Sequence, residues 1–333
     1  MVGASTCHET AGFGLLWGRT PGVDIMRRIS PVSPRARALS GLFVVVIAVL
    51  SVAGTAALAQ SRNDLVIATV DGPRHALTLP AGRGPHPTVI VLHGALGSGT
   101  GTAFTTGFSE AAARRGFTAV FPDGINRLWH DGRAGGPDGP DDVGFIRELV
   151  HRLVSDGVAD QRRIYLAGIS NGGMMSFTLV CKAGELFAGV GTVIANMPEG
   201  IGSCAPRPMP VVMINGTADP MVPYDGGGVG LGGGRGDVWS AERTAKFFAA
   251  RDGCDRPTTE ALANRDQVDG TAVTRIDWRS CRPGTTVTLY RVEGGGHALP
   301  GRRSLFPRIL GASNQDIVSA EVILDAFAWD PDR

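Results

Sequence analysis

The sequence predicts an α/β fold, with a mainly parallel central sheet that carries helices on both faces. Strand-like and helix-like segments alternate along most of the 333 residues, and this alternation is typical of parallel sheets. Several strand-like segments are continuous apolar runs, the pattern of a strand that is buried on both faces. The polar residues that could carry chemistry follow such runs, at the sheet edge where ligands usually bind.

Hydrophobic periodicity assigns the individual elements. Strand-like segments, some including the loop that follows, are 65–70, 75–79, 88–94, 117–124, 163–168, 187–195, 210–220 and 288–297. Helices are expected at 104–115, 141–154, 171–184, 241–250 and 319–327. The first two strands form an antiparallel pair around Asp71-Gly72. Segment 226–236 (GGGVGLGGGRG) lacks the GK[ST] ending of a phosphate loop and is predicted to be a flexible surface loop beside the site.

The first 59 residues are predicted to lie outside the folded domain. Residues 26–59 carry a basic leader, an apolar stretch and the small-residue cleavage site Ala57-Leu58-Ala59, the layout of a secretory signal peptide. Residues 1–25 do not fit this layout and are interpreted as a gene-model extension before a start at Met26. An uncleaved membrane anchor is the alternative, although residues 41–59 are near the lower length limit for spanning a bilayer.

We therefore expect a secreted or periplasmic protein whose single domain is formed by residues 60–333, with no stable membrane insertion after cleavage. This domain has 27 Lys+Arg against 29 Asp+Glu. A near-neutral chain gives no electrostatic basis for binding nucleic acid or an anionic membrane surface. The sequence does not indicate the oligomeric state.

Four of the five cysteines lie in the predicted domain, and an even number in an exported chain indicates disulfides. Three connectivities are possible, and sequence order favours Cys181–Cys204 with Cys254–Cys281. No CxxC pair occurs, so a zinc site is not predicted, and neither a metal nor a cofactor is expected.

Ser170 is the candidate nucleophile. It lies in Gly168-Ile169-Ser170-Asn171-Gly172, between a predicted strand and a predicted helix. A strand–turn–helix context is what a GxSxG nucleophile elbow requires. A structural turn that needs small residues is the alternative interpretation, because the motif alone is weak in a glycine-rich chain.

A serine hydroxyl needs a base, and the base needs an acid to orient it. His297 follows the last predicted strand and is the candidate base. Asp219 lies between serine and histidine in the chain, directly after a strand, and is the candidate acid; Asp225 and Asp237 are weaker candidates. An acid that lies between the serine and the base in the chain, after a strand, is what a nucleophile elbow leads us to expect.

Two backbone N–H groups are expected to form the oxyanion hole. One should come from Asn171, directly after the nucleophile, and the other from the loop after the LHG strand, where Ala95 is our choice.

Seven ordered blocks, LHGALGSG, FPDG, WHDGR, DDVGFI, GISNGGMMS, NGTADPMVPY and GGGH, together resemble the secreted polyhydroxybutyrate depolymerase and feruloyl esterase family, including LpqC-like esterases. The resemblance covers roughly residues 64–328. It implies an α/β-hydrolase fold, no metal, and carboxylic ester hydrolysis by a triad that maps onto Ser170, Asp219 and His297. It also implies that Asp142, in the DDVGFI block, is structural.

Two positions depart from the family pattern. His297 is followed by Ala298-Leu299 where relatives often carry an aromatic residue, and His130 stands where asparagine is expected. The first departure removes a stacking platform for a phenolic or polymeric acyl group. Trp129 and His130 are candidates for the substrate rim, although Trp129 fits a core position equally well.

The sequence therefore predicts a serine esterase that acts on a small or polymeric ester. A non-catalytic exported binding protein with the same fold, and a serine peptidase with the same triad, are the alternatives. The acyl and alcohol groups of the substrate cannot be read from the motifs.

Overall fold

The structure is a computed structural model, and it describes residues 63–133, 139–201, 204–304 and 306–328. The predicted extension (1–25) and signal peptide (26–59) lie outside the described residues. Within these four ranges, no helix is long and apolar enough to cross a membrane.

The described residues contain twelve strands and seven α-helices. The strands are β1 (Asn63–Thr69), β2 (Gly72–Leu79), β3 (His86–Leu92), β4 (Thr118–Pro122), β5 (Ala159–Ile169), β6 (Gly189–Val193), β7 (Val211–Gly216), β8 (Gly227–Gly228), β9 (Asp237–Val238), β10 (Pro257–Ala261), β11 (Ala272–Trp278) and β12 (Val287–Glu293). The helices are α1 (Gly99–Thr105), α2 (Phe108–Arg114), α3 (Asp142–Ser155), α4 (Asn171–Lys182), α5 (Ala241–Asp252), α6 (Pro307–Leu310) and α7 (Ser319–Ala328).

Ten strands form one sheet in the order β1-β2-β4-β3-β5-β6-β7-β12-β11-β10. The six central strands, from β4 to β12, run parallel. The strands at both edges pair antiparallel. This order is that of the α/β-hydrolase fold, with β11 and β10 added at one edge, and the predicted fold class is confirmed.

Two hydrophobic cores cover the two faces of the sheet. On one face α3, α4 and α5 contribute buried side chains such as Phe145, Phe177 and Phe248. On the other face α2 and α7 contribute Phe108 and Phe327. Helices therefore lie on both faces, as the alternating sequence pattern predicts.

Three differences from the predicted elements are informative. The single helix expected at 104–115 is two helices, because Gly107 adopts a φ of 84° between α1 and α2. Strands β10 and β11 were not predicted. The glycine-rich segment contains β8, which pairs with β9 directly after the segment, so that Gly227 is opposite Val238.

The strand register brings the candidate site residues to one edge of the sheet. Leu92 at the end of β3 is paired with Gly168 of β5, and Val292 of β12 is paired with Gly216 at the end of β7. The loops after these four strands therefore begin at the same level.

Both predicted disulfides are present. Cys181–Cys204 links the C-terminal end of α4 to the chain before β7, and Cys254–Cys281 links the residues after α5 to the β11–β12 connection. Each closes a segment of about 25 residues, a length for which a cross-link typically stabilises a fold by about 3 kcal/mol.

Candidate active site

Ser170 lies at a strained turn between β5 and α4. Its backbone has φ 53° and ψ −121°, in the positive-φ half of the map that non-glycine residues rarely enter. Such a conformation costs about 1 to 3 kcal/mol and persists only where its surroundings enforce it. One such contact is the hydrogen bond from Ser170 N–H to Val193 O at 2.9 Å. The predicted strand–turn–helix setting is therefore present.

The glycines around Ser170 allow three backbone segments to approach each other closely. A Cβ atom at Gly172 would lie 2.4 Å from the carbonyl oxygen of His93, and one at Gly168 would lie 2.3 Å from the carbonyl oxygen of Gly172. Real Cβ atoms do not come this close to backbone atoms. A larger residue at Gly172 would push α4 away from the end of β3, and a larger residue at Gly168 would push α4 away from the end of β5.

Ser170, His297 and Asp219 form one continuous hydrogen-bonded chain. His297 Nε2 lies 3.0 Å from Ser170 Oγ, and His297 Nδ1 lies 2.8 Å from Asp219 Oδ2. With Nδ1 protonated, the imidazole donates to the carboxylate and presents Nε2 as an acceptor to the hydroxyl. This is the arrangement in which a histidine can remove the serine proton.

Asp219 is held by the chain that follows it. Its Oδ1 accepts hydrogen bonds from the N–H groups of Met221 and Val222 at 2.8 and 2.9 Å. Its side chain is 1% exposed, whereas that of His297 is 12% exposed. The carboxylate is therefore fixed beside the imidazole and shielded from solvent, while the imidazole keeps a small exposed part. The weaker acid candidates Asp225 and Asp237 are both exposed.

The two backbone N–H groups that are predicted to form the oxyanion hole belong to Asn171, the residue after Ser170, and to Ala95, the residue after Gly94. Among the backbone hydrogen bonds of the described residues, neither Ala95 N–H nor Asn171 N–H has an acceptor. The Asn171 group is at the N-terminal end of α4, where helical N–H groups have no partner within the helix. Gly94 lies beside the nucleophile, since a Cβ atom there would be 3.5 Å from Ser170 Cβ.

The side chain of Asn171 makes contacts that the sequence did not reveal. Its Nδ2 donates to Trp129 O at 2.9 Å and to Asp131 Oδ2 at 2.6 Å, and its Oδ1 accepts from Trp129 N–H at 2.8 Å. We expected Asn171 to contribute its backbone amide. The contacts of the side chain depend on a loop 40 residues away in the chain, and no local pattern signals them.

Trp129 does not lie on the substrate rim, and the core alternative is correct. It is 3% exposed, and its indole N–H donates to His93 O at 3.0 Å. His130 is exposed, and its backbone N–H donates to Asp142 Oδ2 at 2.7 Å. No aromatic platform from Trp129 therefore replaces the one missing after His297.

His93 is fully buried and has a structural role. Its Nδ1 donates to Gly94 O at 2.8 Å, and its Nε2 accepts from Gly124 N–H at 2.9 Å. Burial lowers the pKa of His93 below its ordinary value. The neutral ring that results can accept from Gly124, which an imidazolium could not do.

Asp142 takes part in a buried ion pair with Arg74. Arg74 Nη2 donates to Asp142 Oδ1 at 2.7 Å and to Asp123 O at 3.0 Å. Both side chains are almost fully buried. This agrees with a structural role for Asp142. Arg74 was not recognised from the sequence, because β2 reads as an ordinary alternating strand.

The glycine-rich segment lies against the site, as predicted. Val229 and Val238 pack in a small cluster with Met174 in the first part of α4 and with Val222 from the acid loop. Among the described residues, no group of three or more His, Cys, Asp and Glu side chains could hold a metal ion.

Known proteins resemble this chain over most of its length. The family model described as "Esterase PHB depolymerase" matches residues 74–227. The putative esterase NocK of Nocardia uniformis subsp. tsuyamanensis is 30% identical over 75% of this chain and 75% of that protein. Feruloyl esterase B of Piromyces equi is 28% identical over 64% of this chain, which spans only 39% of that protein.

Among solved structures, an acetyl xylan esterase from Aspergillus awamori matches with a TM-score of 0.49 and 17% identity, over 71% of this chain and 94% of that one. We assign the fold from the strand order given above. The family follows from the sequence matches: the chain belongs to the PHB depolymerase esterase family.

Proposed function

We propose that the protein is an exported serine esterase that hydrolyses carboxylic esters through an acyl-enzyme intermediate. The observation that carries this proposal is the unbroken chain of hydrogen bonds from Asp219 through His297 to Ser170. Membership of an esterase family supports ester hydrolysis as the reaction.

The geometry supports the following reaction. Ser170 Oγ attacks the ester carbonyl while His297 Nε2 takes its proton, and Asp219 stabilises the imidazolium that forms. The N–H groups of Ala95 and Asn171 stabilise the tetrahedral oxyanion. His297 then gives the proton to the leaving alcohol, and a water molecule releases the acid from Ser170 by the same route.

We propose further that the acyl site has no preference for phenolic groups. The chain lacks an aromatic residue shortly after His297, and Trp129 is buried. A panel of hydroxycinnamoyl, 3-hydroxybutyrate and acetyl-sugar esters tests this proposal. A kcat/KM for the hydroxycinnamoyl esters well above those of the others would contradict it.

Export is the remaining part of the proposal. Two disulfides in the described residues support an oxidising compartment. The predicted signal peptide at 26–59 is consistent with this. N-terminal sequencing of protein from the culture medium or periplasm should give a start near Gln60.

The Ser170→Ala variant tests the nucleophile. It should lose turnover of a short-chain p-nitrophenyl ester by about 10⁶-fold in kcat while remaining folded. The wild-type protein should react with a fluorophosphonate probe at Ser170, and the variant should not. Undiminished turnover by the variant would contradict the proposal, an unreactive wild-type serine would favour a binding protein, and faster turnover of casein than of esters would favour a peptidase.

A further inference from the structure

The loop after β4, residues 123–131, contacts two segments next to Ser170. One is the start of α4 at Asn171, and the other is residues 93–97. We propose that this loop, the β4 loop, sets the relative position of the two oxyanion N–H groups, with Trp129, Arg127 and the side chain of Asn171 as positioning residues. The inference rests on the proposed function and adds side chains that do not touch the reacting atoms.

The first contact is with Asn171. Its side-chain amide and the backbone of Trp129 exchange two hydrogen bonds, 2.8 and 2.9 Å long, and Asp131 takes a third. The amide is thereby held in one orientation by three bonds inside a buried site. The residue whose backbone N–H faces the oxyanion is thus fixed by its own side chain.

The second contact is with the segment 93–97, which contains Ala95. The indole N–H of Trp129 donates to His93 O at 3.0 Å. Arg127 donates through Nε to Gly97 O at 3.2 Å and through Nη2 to Leu96 O, and its own carbonyl accepts from Leu96 N–H at 2.8 Å. Main-chain groups before and after Ala95, at His93 and at Leu96 and Gly97, are therefore tied to the β4 loop.

Trp129 joins the two contacts. Its backbone binds Asn171 and its side chain binds His93, so one residue connects both sides of the oxyanion hole. The indole ring also lies against the imidazole of His93, with centroids 4.9 Å apart. A change at Trp129 is therefore transmitted to both N–H groups.

Backbone strain is concentrated along the same contacts. Among the described residues, six non-glycine residues have a positive φ, and three of them, Leu96, Asn126 and Arg127, lie where the β4 loop meets the oxyanion segment. Ser170 is a fourth. Strain of this kind persists where neighbouring contacts over-determine the backbone, as pre-organised sites require.

The base of the β4 loop is anchored in the protein interior. Arg74 donates to the carbonyl of Asp123 at one end of the loop, and its ion-pair partner Asp142 accepts from the N–H of His130 at the other end. Hydrogen bonds of charged groups in a buried site are strong. The loop is therefore attached to the β2 and α3 framework.

Loss of this positioning should lower the rate of the chemical steps. Removing an oxyanion donor typically costs 10² to 10³ in kcat, and a displaced donor should cost less. We therefore expect about tenfold lower kcat/KM for Trp129→Phe, which removes one N–H and keeps a ring. For Asn171→Ala, which removes all three amide bonds, we expect about 100-fold.

The test measures kcat/KM for a short-chain p-nitrophenyl ester and the inhibition constant of phenylboronic acid, whose tetrahedral serine adduct mimics the oxyanion. In Trp129→Phe, Asn171→Ala and Arg127→Lys, kcat/KM should fall and the inhibition constant should rise by similar factors. Arg127 lies in an exposed part of the loop. Activities are referred to the folded fraction determined from urea unfolding. A substitution that only destabilised the fold would leave both kcat/KM and the inhibition constant unchanged for each folded molecule.

Two matched variants serve as controls. Trp278→Phe changes another buried tryptophan, in β11, and Arg147→Lys changes another arginine that donates to a backbone carbonyl, that of Lys182 at 2.8 Å. Both should retain kcat/KM and boronic acid affinity within about twofold. Unchanged values in Trp129→Phe, Asn171→Ala and Arg127→Lys, with Ser170→Ala inactive, would overturn the positioning role and leave the proposed function intact. Activity in Ser170→Ala would instead remove the proposed function itself.

Discussion

The two sides of Ser170 are held in different ways. On the oxyanion side, side chains from distant parts of the chain fix the backbone: Asn171, Trp129 and Arg127 each bind a main-chain group. On the acid–base side, backbone groups bind backbone groups or the acid itself. His297 N–H donates to Leu310 O at 2.6 Å, and the N–H groups that hold Asp219 belong to its own loop.

This difference predicts how each side responds to mutation. A side-chain contact can be removed one atom at a time, so the oxyanion side should show graded effects. Closely packed backbone cannot accommodate even one added methyl group. On the acid–base side, a single small substitution should therefore have a large effect on stability and activity.

The largest effect is expected at Asp219, the proposed acid. Asp219→Asn keeps an oxygen that can accept from Met221 and Val222 but places an amide against His297 Nδ1, which favours the wrong imidazole tautomer. We expect kcat to fall by about 10⁴-fold at neutral pH, with little change in the free energy of unfolding.

Asp225→Asn is the matched control for Asp219→Asn, because Asp225 is an exposed carboxylate that also lies between Ser170 and His297 in the chain. Its kcat should equal that of the wild type. A large loss of kcat in Asp225→Asn together with a small loss in Asp219→Asn would show that Asp225, and not Asp219, is the acid.

The next largest effect tests the abrupt response of the acid–base side. A Cβ atom at Gly296 would lie 2.1 Å from Leu310 O and 2.5 Å from Gly311 Cα. Gly296→Ala should therefore lower the free energy of unfolding by about 3 kcal/mol and displace His297 in the molecules that still fold. Urea unfolding and kcat per folded molecule measure the two effects.

Gly184→Ala provides the control for Gly296→Ala, since the nearest atoms to a Cβ there are 4.0 Å away. Its stability should change by less than about 1 kcal/mol. If Gly296→Ala were equally mild, the acid–base side would not be held by close backbone packing.

The smallest effect concerns Asp252, a buried carboxylate. Unlike Asp219, it has no pair of backbone N–H groups directly after it in the chain that donate to it. Asp252 is 1% exposed, and its Oδ2 has no partner among the described residues. Burial raises the pKa of Asp252 to about 7, against the opposing effects of the Met209 backbone and of Arg282 and Arg251. The folded state therefore binds a proton that the unfolded state releases between about pH 4 and pH 7.

The sign of this effect is destabilisation as pH rises. The stability that protonated Asp252 provides is fully present below about pH 4 and is lost as pH rises through about 7. The free energy of unfolding of Asp252→Asn, relative to wild type, should increase by about 2 to 3 kcal/mol between pH 5 and pH 8. Urea unfolding at several pH values measures it, and a difference that does not vary with pH would show that Asp252 does not titrate in this range.

The sequence predicted the acid–base side of the site better than the oxyanion side. Ser170, Asp219 and His297 each follow an apolar run, so their places at one sheet edge follow from the strand pattern. Backbone packing of this kind leaves glycines in the sequence, as in GGGH and GISNG.

The oxyanion side could not be predicted in the same way. The bonds of Asn171 and Trp129 join parts of the chain that are 42 residues apart, and neither residue type signals its partner. Strand β10 was missed because all five of its residues are exposed and polar or small, with no apolar face to detect. Gly107 divided a helix that periodicity alone reads as continuous.

The disulfide at Cys181 has a consequence for producing this protein. Helix α4 begins at the residue after Ser170 and reaches Cys181 near its other end, about 15 Å away. The disulfide therefore holds the C-terminal end of α4, whereas the N-terminal end, next to Ser170, is held by its own hydrogen bonds. In a reducing host, fewer chains would reach the native state, yet each native molecule would turn over at the normal rate. The yield of native protein would then fall while its turnover number stayed the same. Activity measured in a crude lysate would therefore underestimate the turnover number of the native protein.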